Sequence, residues 1–293
     1  MYDKLLHMDL DTNIIGLPGN SSVSFIAFAD DVALIVTGLT TETLEEMTNE
    51  AQPELIINDI RVTPKEKLKY LGIELCKKLG YGTHIRGAVV KAGRTASALE
   101  RILPNVRGAR QDKRKILATT VPNQLLYGAP IWADALQFEN NVKMILGPQR
   151  KIALRIAMAY RTVSTSAVMV VAGTIPVHLM ARERQKKYRQ IQMLTGHGCF
   201  GYYLNKYKIR TSAECVDCHM PVDNVEHTDF ECDRWWQERR SLEAIVDCDI
   251  GPDSIIGAML KSRENWRAVK EFVGKILGIK EEEERQTQRG SLA

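Results

Sequence analysis

Apolar residues cluster in short runs over the first eighty residues and then recur at three- and four-residue steps. That change of period divides the chain into a β-rich front and a helical remainder. The runs 23–28 and 32–36 are β-prone, and Ala29, Asp30 and Asp31 separate them. The pattern predicts a hairpin with two carboxylates at its tip. Residues 40–51 predict a short helix capped by Thr40 or Thr41, with Leu44 and Met47 on one face, stopped at Gln52-Pro53. Residues 55–57 and 60–62 around Asn58-Asp59 read as a second hairpin, and 68–75 as a strand interrupted by Gly72. From His84 the pattern is helical: Ile85, Val89, Ala92, Ala96, Leu99 and Leu103 share a face, and Pro104 ends the run. A second helix over 111–126 contains Pro122, which predicts a kink or a break there. A third over 140–159 is expected to break near Gly147-Pro148. A fourth covers 165–172, and a fifth, capped by Thr174 with Pro176 in its first turn, runs to 194. The last, over 264–277, carries Trp266, Val269, Phe272, Val273 and Ile276. The acidic run 281–284 and the polar end read as a frayed or disordered tail. The fold class expected from this order is α+β.

The 293 residues are 44% apolar and 26% charged, a globular balance that excludes a wholly disordered or fibrous chain. No apolar run reaches the roughly 18 residues of a membrane span, and the N-terminus lacks a signal-peptide core. The expectation is an intracellular protein, nuclear or cytoplasmic, neither secreted nor membrane-bound. The net charge of +4 conceals a strong asymmetry. Between His84 and Arg210, 22 Lys and Arg stand against 5 Asp and Glu, a net of +17 that leaves −13 for the remainder. Such a segment is suited to a polyanion, RNA or DNA, with a solvated basic face as the plainer alternative. The candidate contacts are Arg110, Lys113, Arg114 and Lys115 at the start of the second helix, and Arg182, Arg184, Lys186, Lys187 and Arg189 on the fifth.

Six cysteines in a chain of this length suggest free or metal-bound thiols rather than a disulfide scaffold. Cys215, Cys218, His227 and Cys232 supply three thiolates and an imidazole within 18 residues. Zinc takes such a set in a tetrahedron, and four protein ligands make the ion structural. Unrelated cysteines beside a surface histidine are the alternative, and His219 is a possible substitute ligand. Cys76, Cys199 and Cys248 fall outside the pattern and are expected to be buried as small apolar residues.

Several stretches together resemble one family. Phe28-Ala29-Asp30-Asp31-Val32-Ala33-Leu34 resembles the catalytic hairpin of reverse transcriptases. Lys69-Tyr70-Leu71-Gly72 is similar to the primer-grip hairpin of non-LTR retrotransposon polymerases, and 125–132, LLYGAPIW, to a signature downstream of it. The stretch 194–200, LTGHGCF, and the Cys/His cluster with Glu226-His227 and Cys232-Asp233-Arg234-Trp235 resemble the C-terminal segment of the same elements. The chain thus resembles the C-terminal part of a non-LTR retrotransposon reverse transcriptase, of the group that inserts into ribosomal DNA. The resemblance implies a partial palm with a primer-grip hairpin over 1–80 and a basic helical thumb and connector over 81–200. It further implies a zinc-knuckle-like segment over 201–240, a helical region over 241–280 and a disordered tail over 281–293. It implies that Asp30 and Asp31 match magnesium-binding aspartates of the palm, that Lys69, Tyr70, Leu71 and Gly72 position a primer end, and that Cys215, Cys218, His227 and Cys232 hold zinc in a knuckle that helps bind RNA or DNA.

The chain departs from that family in two places. Only 29 residues precede Asp30, and none of Asp3, Asp9 and Asp11 ends a strand-like run that could supply the family's upstream aspartate. Between Ala51 and Pro53 the family's continued helix and lysine-bearing strand are missing. Two-metal chemistry needs carboxylates from more than one strand. The expectation is therefore a polymerase fragment inactive by itself, with magnesium relevant only where activity is restored. The alternatives are a retained zinc-dependent binding module and a decayed element.

Overall fold

The computed structural model describes residues 22–28, 31–37, 55–57, 60–62, 67–76, 80–207 and 209–290, of which 22–28, 31–37, 55–57, 60–62 and 288–290 are described as backbone only. The helix expected over 40–51 lies outside the described residues. The chain divides into two units, 1–79 with 283–293, and 80–282.

The first unit contains three antiparallel hairpins: β1 (Ser22–Phe28) with β2 (Asp31–Thr37), β3 (Leu55–Ile57) with β4 (Ile60–Val62), and β5 (Lys67–Tyr70) with β6 (Ile73–Cys76). Among the described residues each hairpin is its own two-stranded sheet. The strand expected over 68–75 is a hairpin because Leu71 and Gly72 both take positive φ, 45° and 81°. Two successive left-handed residues reverse a chain with the twist that paired strands require.

The second unit is helical and has two apolar clusters. The first is built by α1 (Gly82–Ile102), α2 (Gln111–Ala118), α3 (Thr120–Leu125), α4 (Ala129–Trp132), α5 (Glu139–Ile156), α6 (Thr165–Ala172) and the front of α7 (Val177–Thr195). Its centre is α5, which packs along α1 and also meets α2, α3, α6 and α7. Ala92 and Ala96 are fully buried on α1, small enough for close helix approach. α1 stops at Leu103, whose extended ψ of 72° suits a residue before proline.

Three local expectations are corrected. The break expected at Pro122 within 111–126 falls instead at Thr119, so Pro122 stands in the first turn of α3, where a missing N–H costs little. The break expected at Gly147-Pro148 does not occur: α5 runs through Pro148. An interior proline costs about 3 kcal/mol, and burial of Ile145, Pro148, Ile152, Ala153 and Ile156 outweighs it. α7 begins after Pro176, and its cap comes from another helix rather than from Thr174. The Gln149 amide accepts from Val177 N at 2.8 Å and donates to Ile175 O at 2.7 Å.

Arg114 is also corrected. It is 0% exposed and so is withdrawn from any nucleic-acid face. Its guanidinium donates to the carbonyls of Ala109 (2.6 Å), Arg155 (2.9 Å), Pro104 (2.7 Å) and Arg107 (3.1 Å). Those carbonyls belong to the 103–110 loop and the end of α5, and the planar fork of donors ties them together. Lysine cannot reproduce that fork. Arg114→Lys is therefore expected to lose about 2 kcal/mol, read as a lower denaturation midpoint with an unchanged m-value.

The second cluster gathers the end of α7, α8 (Gly201–Lys206), the loop that follows it to Trp235, α9 (Trp236–Val246), α10 (Ile255–Lys261) and α11 (Arg263–Gly290) as far as Ile279. Phe200, Trp235, Val269, Val273 and Ile276 are at its centre. The segments 201–240 and 241–280 share this one cluster. The tail expected to be disordered from 281 is instead the last part of α11, helical to Gly290. The Glu281 carboxylate meets Arg189 at 2.7 Å, so the acidic run begins in an ion pair rather than in solvent.

Candidate metal centre and nucleic-acid face

Cys215, Cys218, His227 and Cys232 place one ligand atom each within 4.8 Å of one another. Cys215 and Cys218 flank a tight turn in which Cys215 N donates to Met220 O (2.9 Å) and His219 N to Cys215 O (3.0 Å). His227 opens a single π-helical turn, His227–Glu231, which delivers its ring and then Cys232 to the same point. Cys232 Sγ lies 3.9 Å from both Cys215 Sγ and Cys218 Sγ, and Cys218 Sγ lies 3.1 Å from His227 Nε2. Thiolates about 2.3 Å from a tetrahedral zinc stand about 3.8 Å apart. The sulfurs therefore fit an ion and are too far apart for a disulfide.

The surroundings support the same use. His227 turns Nε2 to Cys218 Sγ, while its buried Nδ1 lies 3.8 Å from the Glu231 carboxylate, beyond hydrogen-bond reach. Arg234 pairs with Asp217 at 2.8 Å and lies over the Trp235 ring, stapling the two ligand segments together. Burial pushes the Cys232 thiol up to about 12, a shift that a cation held by the cluster would reverse by favouring the thiolate. Burial also pushes the Asp229 carboxyl up to about 7, against the pull of Lys280 and Arg239.

His219, the substitute ligand considered from sequence, is exposed and bonded to Glu214 at 2.9 Å, away from the cluster. Cys76, Cys199 and Cys248 are half-buried rather than buried.

A buried anchor that spacing alone did not reveal stands beside the centre. Asp223 accepts from Lys280 Nζ at 3.0 and 2.8 Å, from Thr228 Oγ1 at 2.6 Å and from Gly201 N at 2.8 Å. It binds α8, the metal loop and α11 into one piece. Gly201 is required there, because a Cβ would stand 2.9 Å from Ala213 O. Its signal in the sequence was weak: a lone aspartate between cysteines and a lysine at the edge of an acidic run.

The basic candidates separate by exposure. Arg110, Lys113 and Lys115 are exposed at α2. Arg182, Arg184, Lys186 and Lys187 are exposed on α7, with Arg182 and Arg184 also donating to Leu136 O and Leu126 O. Arg189 is held by Glu281 and only 12% exposed, which removes most of its charge from the surface. Lys69, Tyr70, Leu71 and Gly72 form the tip of the β5–β6 hairpin, with Tyr70 opposite Ile73. Asp31 opens β2 opposite Phe28, whereas Asp30 lies outside the described residues, as does the Asp31 side chain. No single helix among the described residues is long and apolar enough to cross a membrane.

The sequence relatives are proteins of R1 retrotransposable elements. The chain is 26% identical over 223 residues, 63% of its length and 54% of the relative's, to a "Retrovirus-related Pol polyprotein from type-1 retrotransposable element R1 2" of Nasonia vitripennis. It is 26% identical over 195 residues, 56% of its length and 19% of the relative's, to a "Putative 115 kDa protein in type-1 retrotransposable element R1DM" of Drosophila melanogaster. A further Pol polyprotein of an R1 element from Nasonia vitripennis is 26% identical over 115 residues, 38% of the chain and 33% of that relative. The chain thus spans about half the length of the first relative and less of the others. No protein-family model matches it, and no solved structure is similar to it.

Proposed function

We propose that the chain is a nucleic-acid-binding segment from the reverse-transcriptase lineage of a non-LTR retrotransposon that inserts into ribosomal DNA. In this reading the hairpins of 22–76 descend from a polymerase palm and α1–α7 from its thumb and connector. The Cys3His loop is a structural zinc knuckle. The carrying observation is that cluster: four ligand atoms within 4.8 Å of one another, in a chain whose relatives are R1 Pol polyproteins. The exposed cations of α2 and α7 supply the charge that phosphates require. The missing segment between Ala51 and Pro53 leaves Asp30 and Asp31 as vestiges, so binding rather than polymerisation is assigned to these residues.

The test is binding of the full chain to RNA and to duplex DNA across a salt series. Affinity is expected to fall steeply with salt, and Lys186→Ala with Lys187→Ala to flatten the slope by about 2. A chelator should weaken binding by unseating the knuckle. No binding at low salt overturns the proposal. Primer extension on an RNA template with magnesium, abolished by Asp30→Asn, overturns the assignment of binding alone.

A further inference from the structure

The stretch 125–132 buries four of its apolar side chains and leaves Tyr127 and Ile131 exposed. Leu125, Leu126, Ala129 and Trp132 are buried. Trp132 Nε1 donates to Tyr127 O at 2.8 Å, and Gly128 turns the chain at a φ of 62°. This pinned turn drives one large ring outward: Tyr127 is 56% exposed. It lines a groove of about 450 Å³ together with Tyr188, 47% exposed, and Ile191, both from α7. Arg184 and Lys187 line the same groove, four residues and one residue before Tyr188. Arg184 Nη1 donates to Leu126 O at 3.1 Å, which fixes the guanidinium beside the Tyr127 turn while the residue stays exposed. Burial first, and then the Glu281 carboxylate, pushes the Tyr188 hydroxyl up, and Glu281 is itself paired with Arg189 at 2.7 Å.

Two exposed rings on rigid backbone, flanked by two cations, have a specific complement. An apolar ligand would not need the cations. A duplex would meet the cations but would offer the rings no base face, because its bases are stacked on one another. We propose that this groove is a stacking site for unpaired bases of a single-stranded polynucleotide, with Tyr127 and Tyr188 meeting the bases and Arg184 and Lys187 the adjoining phosphates. The inference rests on the nucleic-acid reading above and deepens it by naming the form of nucleic acid. Aromatic stacking of this kind is tolerant of sequence and adds to a salt-sensitive charge interaction.

The test compares three probes on the full chain: a single-stranded oligonucleotide, the same sequence as a duplex, and an abasic oligomer with the same phosphates. Tyr127→Ala and Tyr188→Ala should each weaken single-strand binding about tenfold, with duplex and abasic binding unchanged. Tyr127→Phe should bind like wild type. Ile131→Ala, which removes an exposed side chain outside the groove, controls for general surface loss. Alanine variants that hold the single strand as tightly as wild type overturn the stacking site while the wider reading stands. Equal losses on the abasic probe do the same. A wild-type chain that binds none of the three overturns both.

Discussion

With zinc in the Cys3His set, as proposed, its removal is expected to unfold the second apolar cluster and leave the first standing. Cys215 and Cys232 are each 1% exposed, and they belong to the same cluster as Phe200, Trp235, Val269 and Ile276. Without an ion, three thiols and an imidazole meet in an interior where burial holds the Cys232 thiol protonated. Structural zinc in finger peptides contributes an apparent 10–16 kcal/mol, about as much as the roughly 5–15 kcal/mol by which a whole domain is stable. The first cluster takes no residue from the metal loop. Hydrogen exchange is the direct measurement. Chelation should erase amide protection over 200–277 and retain it over 85–181, and Cys215→Ser should have the same effect with zinc present. Acidification should release the ion, because protons compete for thiolate and imidazole. Full protection of 200–277 in protein shown by elemental analysis to be metal-free would sink the idea.

The Asp223→Ala variant should be the most damaging single change away from the ligands. It strands the Lys280 ammonium, 8% exposed, and removes the acceptor for Thr228 and for Gly201 N. Removing one partner of a buried ion pair costs about 3–5 kcal/mol, and here the buried ammonium would be left with Thr228 Oγ1 and the nearby Asp229 carboxyl as company. For a unit of this size the loss lowers the melting temperature by about 10 °C. Asp223→Ala combined with Lys280→Met should recover part of the loss, since no charge is then left buried. A double variant whose deficit equals the sum of the single deficits would show that the two side chains are not coupled.

The elements that periodicity revealed were those with one buried face and clear ends. α6 covers the expected residues, 165–172, because Ser164 caps it and Gly173 closes it, both local signals. The tip of β5–β6 was marked by Gly72. The metal set was legible because its four residues are close in sequence and few other chemistries need that combination. What escaped was tertiary. Arg114 looked like surface charge, but its partners are carbonyls up to 41 residues away, and no residue type announces them. Pro148 looked like a break until α1 and its neighbours closed around α5. The acidic run looked solvated because its first carboxylate finds Arg189 across 92 residues. α8 and α10, six and seven residues long, have too few turns for a period to emerge.

α7 contributes to both clusters, Val177 and Ala181 to the first and Met193 to the second, and this sets an order on synthesis. The first cluster has all its residues by Ala181, and the second waits for Leu277. At about 5–20 residues per second a ribosome needs several seconds to cross that interval. During it, one end of a basic rod stands on a finished core while the other is still apolar and uncovered. The nascent chain therefore emerges as a template before it is a module, and the metal loop, between the two, is made while its closing helix does not yet exist.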